Sequence, residues 1–199
     1  MKHHILLRPV KMIDFEVLYI WMQQTHIAPF WKLNVNKEEF QVYLERTLKA
    51  EHKRVFLCFI DHIPAGYLIA YSIEHDPIKE YYQAEPGDLG MHFLIGPREL
   101  LNKDDGLMIA RAMTAFLMKK YSCSRIIGEP DIRNRIVIPI LKEMGGYVAD
   151  TISMPHKKAA LIIGEKDRFQ KYMSNVNVNF VKLPNQEKDL LAEEGRSVM

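Results

Sequence analysis

The 199-residue chain lacks most features that would tie it to a membrane, to nucleic acid or to an oxidising compartment. No run approaches the roughly 18 consecutive apolar residues that a membrane span needs. The apolar stretch before Arg8 is also too short for a secretory signal. Lys and Arg (27) nearly balance Asp and Glu (25), for a net charge of +2. The basic runs are only pairs, such as Lys119 with Lys120 and Lys157 with Lys158, so no basic stripe marks a nucleic-acid face. Cysteine is scarce: Cys58 and Cys123 stand in apolar or strand-like surroundings without CxxC spacing, as reduced, buried thiols do. No repeat, low-complexity stretch or histidine pair with metal-ligand spacing occurs. What remains is a cytoplasmic enzyme of one domain, with no nucleic acid, membrane or metal partner.

What is present is an order of elements. Residues 4–9 read as a short strand. Asp14 caps an expected helix carrying Phe15, Leu18, Tyr19 and Met22 at helical spacing, and a second helix is expected over 37–50. Two β-rich runs, 54–61 and 66–74, flank a turn with Pro64 and form an expected hairpin. A strand over 89–96 follows, then a helix over 106–121 opened by Gly106 and a short strand over 124–129. A helix over 131–144, kinked at Pro139, stops at Gly145 and Gly146. Two strands close the pattern around Pro155, before a short helix over 168–173 and a polar stretch expected to be a mobile tail or a partner-dependent segment. The fold class is α+β, with a mixed central sheet of six to seven strands and helices on both faces. The main domain takes residues 1–164, and 165–199 form a C-terminal helix and flexible tail.

Four places have the residue types for chemistry. The polar loop after Ile95 leads through Gly106 into a helix, whose unpaired N–H groups are a natural seat for a pyrophosphate. Strand alternation puts His92 and Leu94 on one face and Met91 and Phe93 on the other. A histidine there, with a reference pKa of ~6.5, suits a general base, although an ordinary core histidine has the same pattern. Glu129, Pro130 and Asp131 end the next strand, where a carboxylate faces the same side of the sheet; Asp131 also stands at a helix-cap position. Trp21, His26 and Trp31 bring two indoles and an imidazole together, suited to wall a pocket for an alkyl chain or cation. Taken singly, each is an ordinary core or loop residue.

In order, Leu18, Tyr19, Trp21, Met22, His26, Phe30, Trp31, Asp76, Tyr82, then Asp88-x-Gly90-x-His92-x-Leu94-Ile95-Gly96-Pro97, Glu129-Pro130-Asp131-x-x-Asn134 and Lys158-Ala159 form one pattern. It resembles the siderophore-biosynthesis branch of the GNAT superfamily, over about residues 5–163. The resemblance implies a GNAT fold. It also implies transfer of an acyl group from acetyl-CoA or another acyl-CoA to the hydroxylamine nitrogen of N-hydroxylysine, N-hydroxycadaverine or a similar acceptor, giving a hydroxamate. It assigns catalysis to His92 and Asp131. Acyl-CoA contacts fall on Leu94, Ile95, Gly96, Arg98, Lys103, Gly106, Leu107 and Asn134, and acceptor contacts on Trp21, His26, Trp31, Asp88 and Glu129. The implied partners are small molecules, and the implied state is a monomer or homodimer.

The chain departs from the family pattern at three points. Lys103-x-x-Gly106-x-Met108 keeps only the central glycine of the usual CoA loop, and Asp104 and Asp105 add negative charge beside it. Leu141 stands where many GNAT enzymes carry a tyrosine that protonates the CoA thiolate, and Ile69 where the siderophore branch often has glutamate. Two competing readings are an acetyltransferase of plain amines, similar to the aminoglycoside 6'-N-acetyltransferases, and a catalytically silent CoA-binding module.

Overall fold

A computed structural model describes residues 3–173 of the chain; the polar tail expected beyond them lies outside the described residues. Strand β1 (Ile5–Pro9) leads through helices α1 (Phe15–Met22), α2 (Ala28–Trp31) and α3 (Lys37–Lys49) to strands β2 (Lys53–Ile60), β3 (Ile63–Ser72) and β4 (Asp88–Ile95). Helix α4 (Lys103–Tyr121) crosses to β5 (Arg125–Gly128). Helix α5 (Val137–Glu143), strands β6 (Tyr147–Met154) and β7 (Lys157–Glu165) and helix α6 (Lys166–Met173) complete the chain. The seven strands form one mixed sheet in the order β1-β2-β3-β4-β5-β7-β6. Helices cover both faces, as the α+β expectation requires. On one face Leu89, Met91, Phe93 and Ile95 of β4 meet Ile109, Met113 and Leu117 of α4. On the other, Leu94 joins Leu18 and Met22 of α1 and Phe40 and Leu44 of α3. Each side chain so buried stabilises the fold by ~1.5–3 kcal/mol.

One feature of the sheet positions everything that follows. β4 and β5 pair in parallel, which requires a crossover, and α4 supplies it. Their register holds for three pairs, Asp88 with Arg125, Leu89 with Ile126 and Gly90 with Ile127. β5 then stops at Gly128, and Pro130 has no N–H to continue a ladder. The second half of β4 therefore loses its neighbour and the sheet opens.

Several local expectations shift for identifiable reasons. Asn102 caps α4, accepting from the Asp104 and Asp105 N–H groups at 3.1 and 3.0 Å. The helix therefore starts at Lys103, and Gly106 sits buried in its first turn rather than opening it. Asn134 takes the N–H groups of Ile136 and Val137 (3.1 and 2.9 Å), so α5 is shorter than the expected 131–144 and Asp131 does not cap it. Pro139 then falls in the first turn of α5, where its missing N–H costs nothing. Asp14 makes no side-chain cap to α1; its carboxylate takes Arg8 in two bonds (2.7 and 2.6 Å) and the Lys11 N–H. Asp61 and His62, at φ 48° and 71°, make a two-residue hairpin turn, so β3 begins at Ile63 rather than at Gly66.

Candidate active site

Where β4 and β5 part, a cleft of about 590 Å³ runs through the sheet. Trp31, Ile69, His92, Glu129, Asp131 and Lys157 line it on the α1–α3 side, while Met91, Ile126, Met144 and Phe169 line it on the α4 side. The Gly96 N–H donates to the Ala65 carbonyl at 3.0 Å, so the backbone groups of even-numbered β4 residues point to β3. Alternation then turns those of Phe93 and Ile95 into the open gap. The Ile95 carbonyl accepts there from His26 Nε2 at 3.2 Å.

His92 is held by a buried carboxylate. Its Nε2 bonds Oε1 of Glu129, which is only 4 % exposed. Tyr71 OH donates to the other oxygen at 2.9 Å, and Lys157 Nζ donates to the Glu129 carbonyl at 2.6 Å and lies 3.4 Å from Oε1. Burial pushes the Glu129 carboxyl up, but His92, Lys157 and Tyr71 together outweigh it and hold the group at about 2. Glu129 is therefore an anion that only accepts. In this pair His92 Nε2 is the donor, and Nδ1 is the ring nitrogen not engaged by Glu129. Burial, reinforced by the Glu129 charge, drives the Tyr71 phenol well above its ordinary value, so Tyr71 remains a donor. The imidazole itself is 39 % exposed and reachable from the cleft.

Gly90 makes this arrangement possible. It pairs directly with Tyr71 across β3 and β4, and a Cβ on it would lie 2.1 Å from Tyr71 Cε2. The phenol crosses β4 over that missing side chain to reach Glu129.

Asp131 lines the same cleft but has no bond to His92. It takes Arg133 through Nε (2.9 Å), Nη2 (2.6 Å) and the backbone N–H, and the Arg133 hydrogen bonds hold its carboxyl at about 2. The partner of His92 is thus Glu129, expected only as an acceptor contact. Asp88, also expected to contact the acceptor, is buried and already accepts four hydrogen bonds. Arg125 grips it with two bonds of 2.7 Å, and Tyr82 OH and the Glu85 N–H add one each. It ties β4 to β5 outside the cleft. Trp21 is 6 % exposed and packs under Gly96, where a Cβ would fall 2.0 Å from the indole. Trp31 does face the cleft, 5.6 Å from the Tyr67 ring. His26 borders the gap, with a buried Nδ1 that has no partner among the described residues.

Of the expected acyl-CoA contacts, Ile95 offers backbone groups in the gap, whereas those of Leu94 are turned to Tyr67 on β3; Phe93 takes its place. Gly106 packs between Ile95 and Ile140, and Leu107 is buried beside it. Arg98 and Lys103 are exposed cations at the α4 end, with Lys103 Nζ 3.6 Å from Glu143. Asn134 and Leu141 line the cleft. The sequence reading missed Tyr71, Phe93 and Lys157. The alternation of β4 bears on Phe93 and the Gly90 motif hints at Tyr71, but nothing local marks Lys157.

A family profile described as the acetyltransferase (GNAT) domain matches residues 11–154, well over half the chain. The chain belongs to the GNAT acetyltransferase family. Among its relatives is the N-hydroxyputrescine acetyltransferase of Acinetobacter baumannii, 29% identical over 156 residues that span 78% of this chain and 74% of the relative. Another is the lysine N-acyltransferase MbtK of Mycobacterium tuberculosis, 30% identical over 129 residues, 64% of this chain and 61% of MbtK. An uncharacterised Bacillus halodurans protein has a solved structure that superposes with a TM-score of 0.81 at 30% identity, covering 85% of this chain and 88% of that one. The aminoglycoside acetyltransferase AAC(6')-Ib, solved with paromomycin and acetyl-CoA, reaches a TM-score of 0.76 at 21% identity, over 87% and 99% of the two chains, and shares the GNAT fold.

Proposed function

We propose that this GNAT protein is an acyl-CoA-dependent N-acyltransferase acting on the hydroxylamine nitrogen of an N-hydroxylated diamine or amino acid, to form a hydroxamate for siderophore assembly. The observation that carries the reading is the buried Glu129–His92 pair opening onto the β4–β5 gap. The names of the Acinetobacter and Mycobacterium relatives support the acceptor class and the N-acyl transfer.

The residues fit a coenzyme A thioester, which supplies an activated acyl carbon. The backbone groups of Phe93 and Ile95 that face the gap suit the amides of a pantetheine arm. At the α4 end the fit rests on Arg98 and Lys103, because Asn102 already satisfies the Asp104 and Asp105 amides. The chain's own groups then divide the work. A hydroxylamine is less basic than an amine and is largely neutral near pH 7, so positioning is the main task. His92 Nδ1 takes the N–H proton as the N–C bond forms and the C–S bond breaks. Glu129 orients the ring through Nε2 and balances the imidazolium, and Tyr71 and Lys157 keep that carboxylate ionised. The backbone N–H groups facing the gap stabilise charge developing on the acyl oxygen. With leucine at 141, the proton held on His92 is the one available to the departing thiolate. Asp131, in the same cleft, serves as a polar contact for the acceptor. The product hydroxamate is a bidentate oxygen donor, suited to hard ferric iron.

Thiol release from acyl-CoA, with each N-hydroxyamine run beside its unhydroxylated parent, tests the proposal. Turnover confined to the hydroxylated member is expected. Preference for the plain amine assigns a plain-amine acetyltransferase instead, and CoA binding without turnover on any pair assigns a binding module.

A further inference from the structure

The cleft does not end at His92. Across the sheet it continues as a chamber under α4, α5 and α6, walled by Met91, Met118, Ile126, Met144, Ile162 and Phe169. Two glycines make its floor: Gly128 pairs with Ile162, and Gly164 with Ile126, so both lie on one face of adjoining strands. A Cβ on Gly128 would meet only the Met91 carbonyl at 3.6 Å and Pro130 Cδ at 3.9 Å, and one on Gly164 only the Ile126 carbonyl at 3.6 Å. No helix side chain among the described residues fills the space above either. The polar group in this wall is the Thr114 hydroxyl, already directed at the Met91 sulfur at 3.8 Å.

We propose that this chamber takes the acyl chain of the donor, and that the donor is an unbranched apolar acyl thioester of about six carbons rather than acetyl or succinyl. The inference rests on the acyltransferase reading above. With the thioester carbon beside His92, a chain continuing past Gly128 runs along β5 toward Ile126 and Gly164. Two strand residues span about 6.6 Å at about 3.3 Å each. That length matches about five carbon–carbon bonds, each advancing roughly 1.25 Å along an extended chain. An acetyl group leaves the space empty. A succinyl carboxylate would lose its hydration there, and no cation among the described residues walls the chamber to meet it. The three methionines are unbranched and adapt to the chain's contour.

Calorimetric titration of acetyl-, butyryl-, hexanoyl-, octanoyl- and succinyl-CoA, with no acceptor present, reads the chamber directly. Affinity is expected to rise about fourfold per buried methylene, on the order of 10²-fold from acetyl to hexanoyl, and to level off at octanoyl. Succinyl-CoA should bind no more tightly than acetyl-CoA. Gly164→Leu should abolish the hexanoyl advantage and leave acetyl-CoA binding unchanged. Gly164→Ala, whose Cβ makes only an ordinary contact, should move the optimum to a shorter chain and keeps the test valid if the leucine variant does not fold. Equal affinity across the series, or a Gly164→Leu protein that still prefers hexanoyl-CoA, overturns the chamber assignment and leaves the acyltransferase reading standing. Failure of every CoA thioester to bind overturns that reading itself.

Discussion

Replacing Glu129 with glutamine tests the His92 pairing with almost no change of shape. In the wild-type protein the carboxylate faces the imidazolium that forms when His92 takes a proton. Opposite charges about 4 Å apart interact by about 4 kcal/mol at an effective dielectric of 20, equivalent to about 10³ in rate. The change also leaves the Lys157 ammonium, 3.4 Å from the same oxygen, without its counter-charge and repelling the imidazolium. A fall in kcat of about 10³ is therefore expected, with the donor KM within about threefold of wild type. Thiol release at saturating acyl-CoA measures it. Asp131→Asn is the control: that carboxylate pairs with Arg133, and its loss should cost less than about tenfold. The reasoning fails if Glu129→Gln keeps nearly full kcat, or if Asp131→Asn is the more damaging change.

The same group predicts a pH dependence. The folded protein holds Glu129 at about 2, below the ordinary 4.5, so folding favours its ionised form. Its contribution to stability is complete above about pH 4.5 and is lost as pH falls through about 2. Thermal melting of the wild type should decline across that window, and Glu129→Gln should decline less steeply. Equal slopes would show that Glu129 is not held ionised by its neighbours.

Three further substitutions separate structural from catalytic roles. Gly90→Ala drives a Cβ into the buried Tyr71 ring; it should cost about 1–3 kcal/mol in urea unfolding and lower kcat by displacing the phenol, and wild-type values for both would refute this. Asp88→Ala strips Arg125 of its two-bond partner and should cost about 3 kcal/mol of stability with acceptor KM unchanged; a raised KM at full stability would return Asp88 to the acceptor site. Asn102→Ala removes a helix cap at a cost of about 1 kcal/mol and frees the Asp104 and Asp105 amides, so CoA affinity should hold or rise; a marked loss would show that Asn102 itself grips the donor.

The pairing of His92 shows why part of this site was not legible beforehand. Glu129 and Asp131 are two residues apart, and in extended backbone that spacing puts both on one face, so periodicity cannot choose between them. What decides is the fold beyond Pro130. Asp131 bridges to Ala159 and Arg133 turns back onto its carboxylate, leaving Glu129 to meet His92. Tyr71 lies 58 residues from Glu129, and Lys157 lies 28. Their convergence depends on the β3–β4 register and on the start of β7, which no local pattern encodes. Asn102 and Asn134 moved the helix starts because a side-chain cap competes with backbone geometry at each position, and a boundary turns on a single such bond.

By itself the sequence determined the α+β class, the order of the strands and of the longer helices (the short α2, Ala28–Trp31, was not among them), the GNAT resemblance and the face of the strand that His92 shares with Leu94. These follow from alternation, helical spacing and turn residues, all of which act over a few neighbours. Tertiary structure alone decided which carboxylate orients His92, which backbone groups face the gap, that Asp88 belongs to a structural clasp, and that an apolar chamber extends the cleft. Each of these depends on distances between residues far apart in the chain. Charge pairing, desolvation and empty volume are properties of that spatial arrangement.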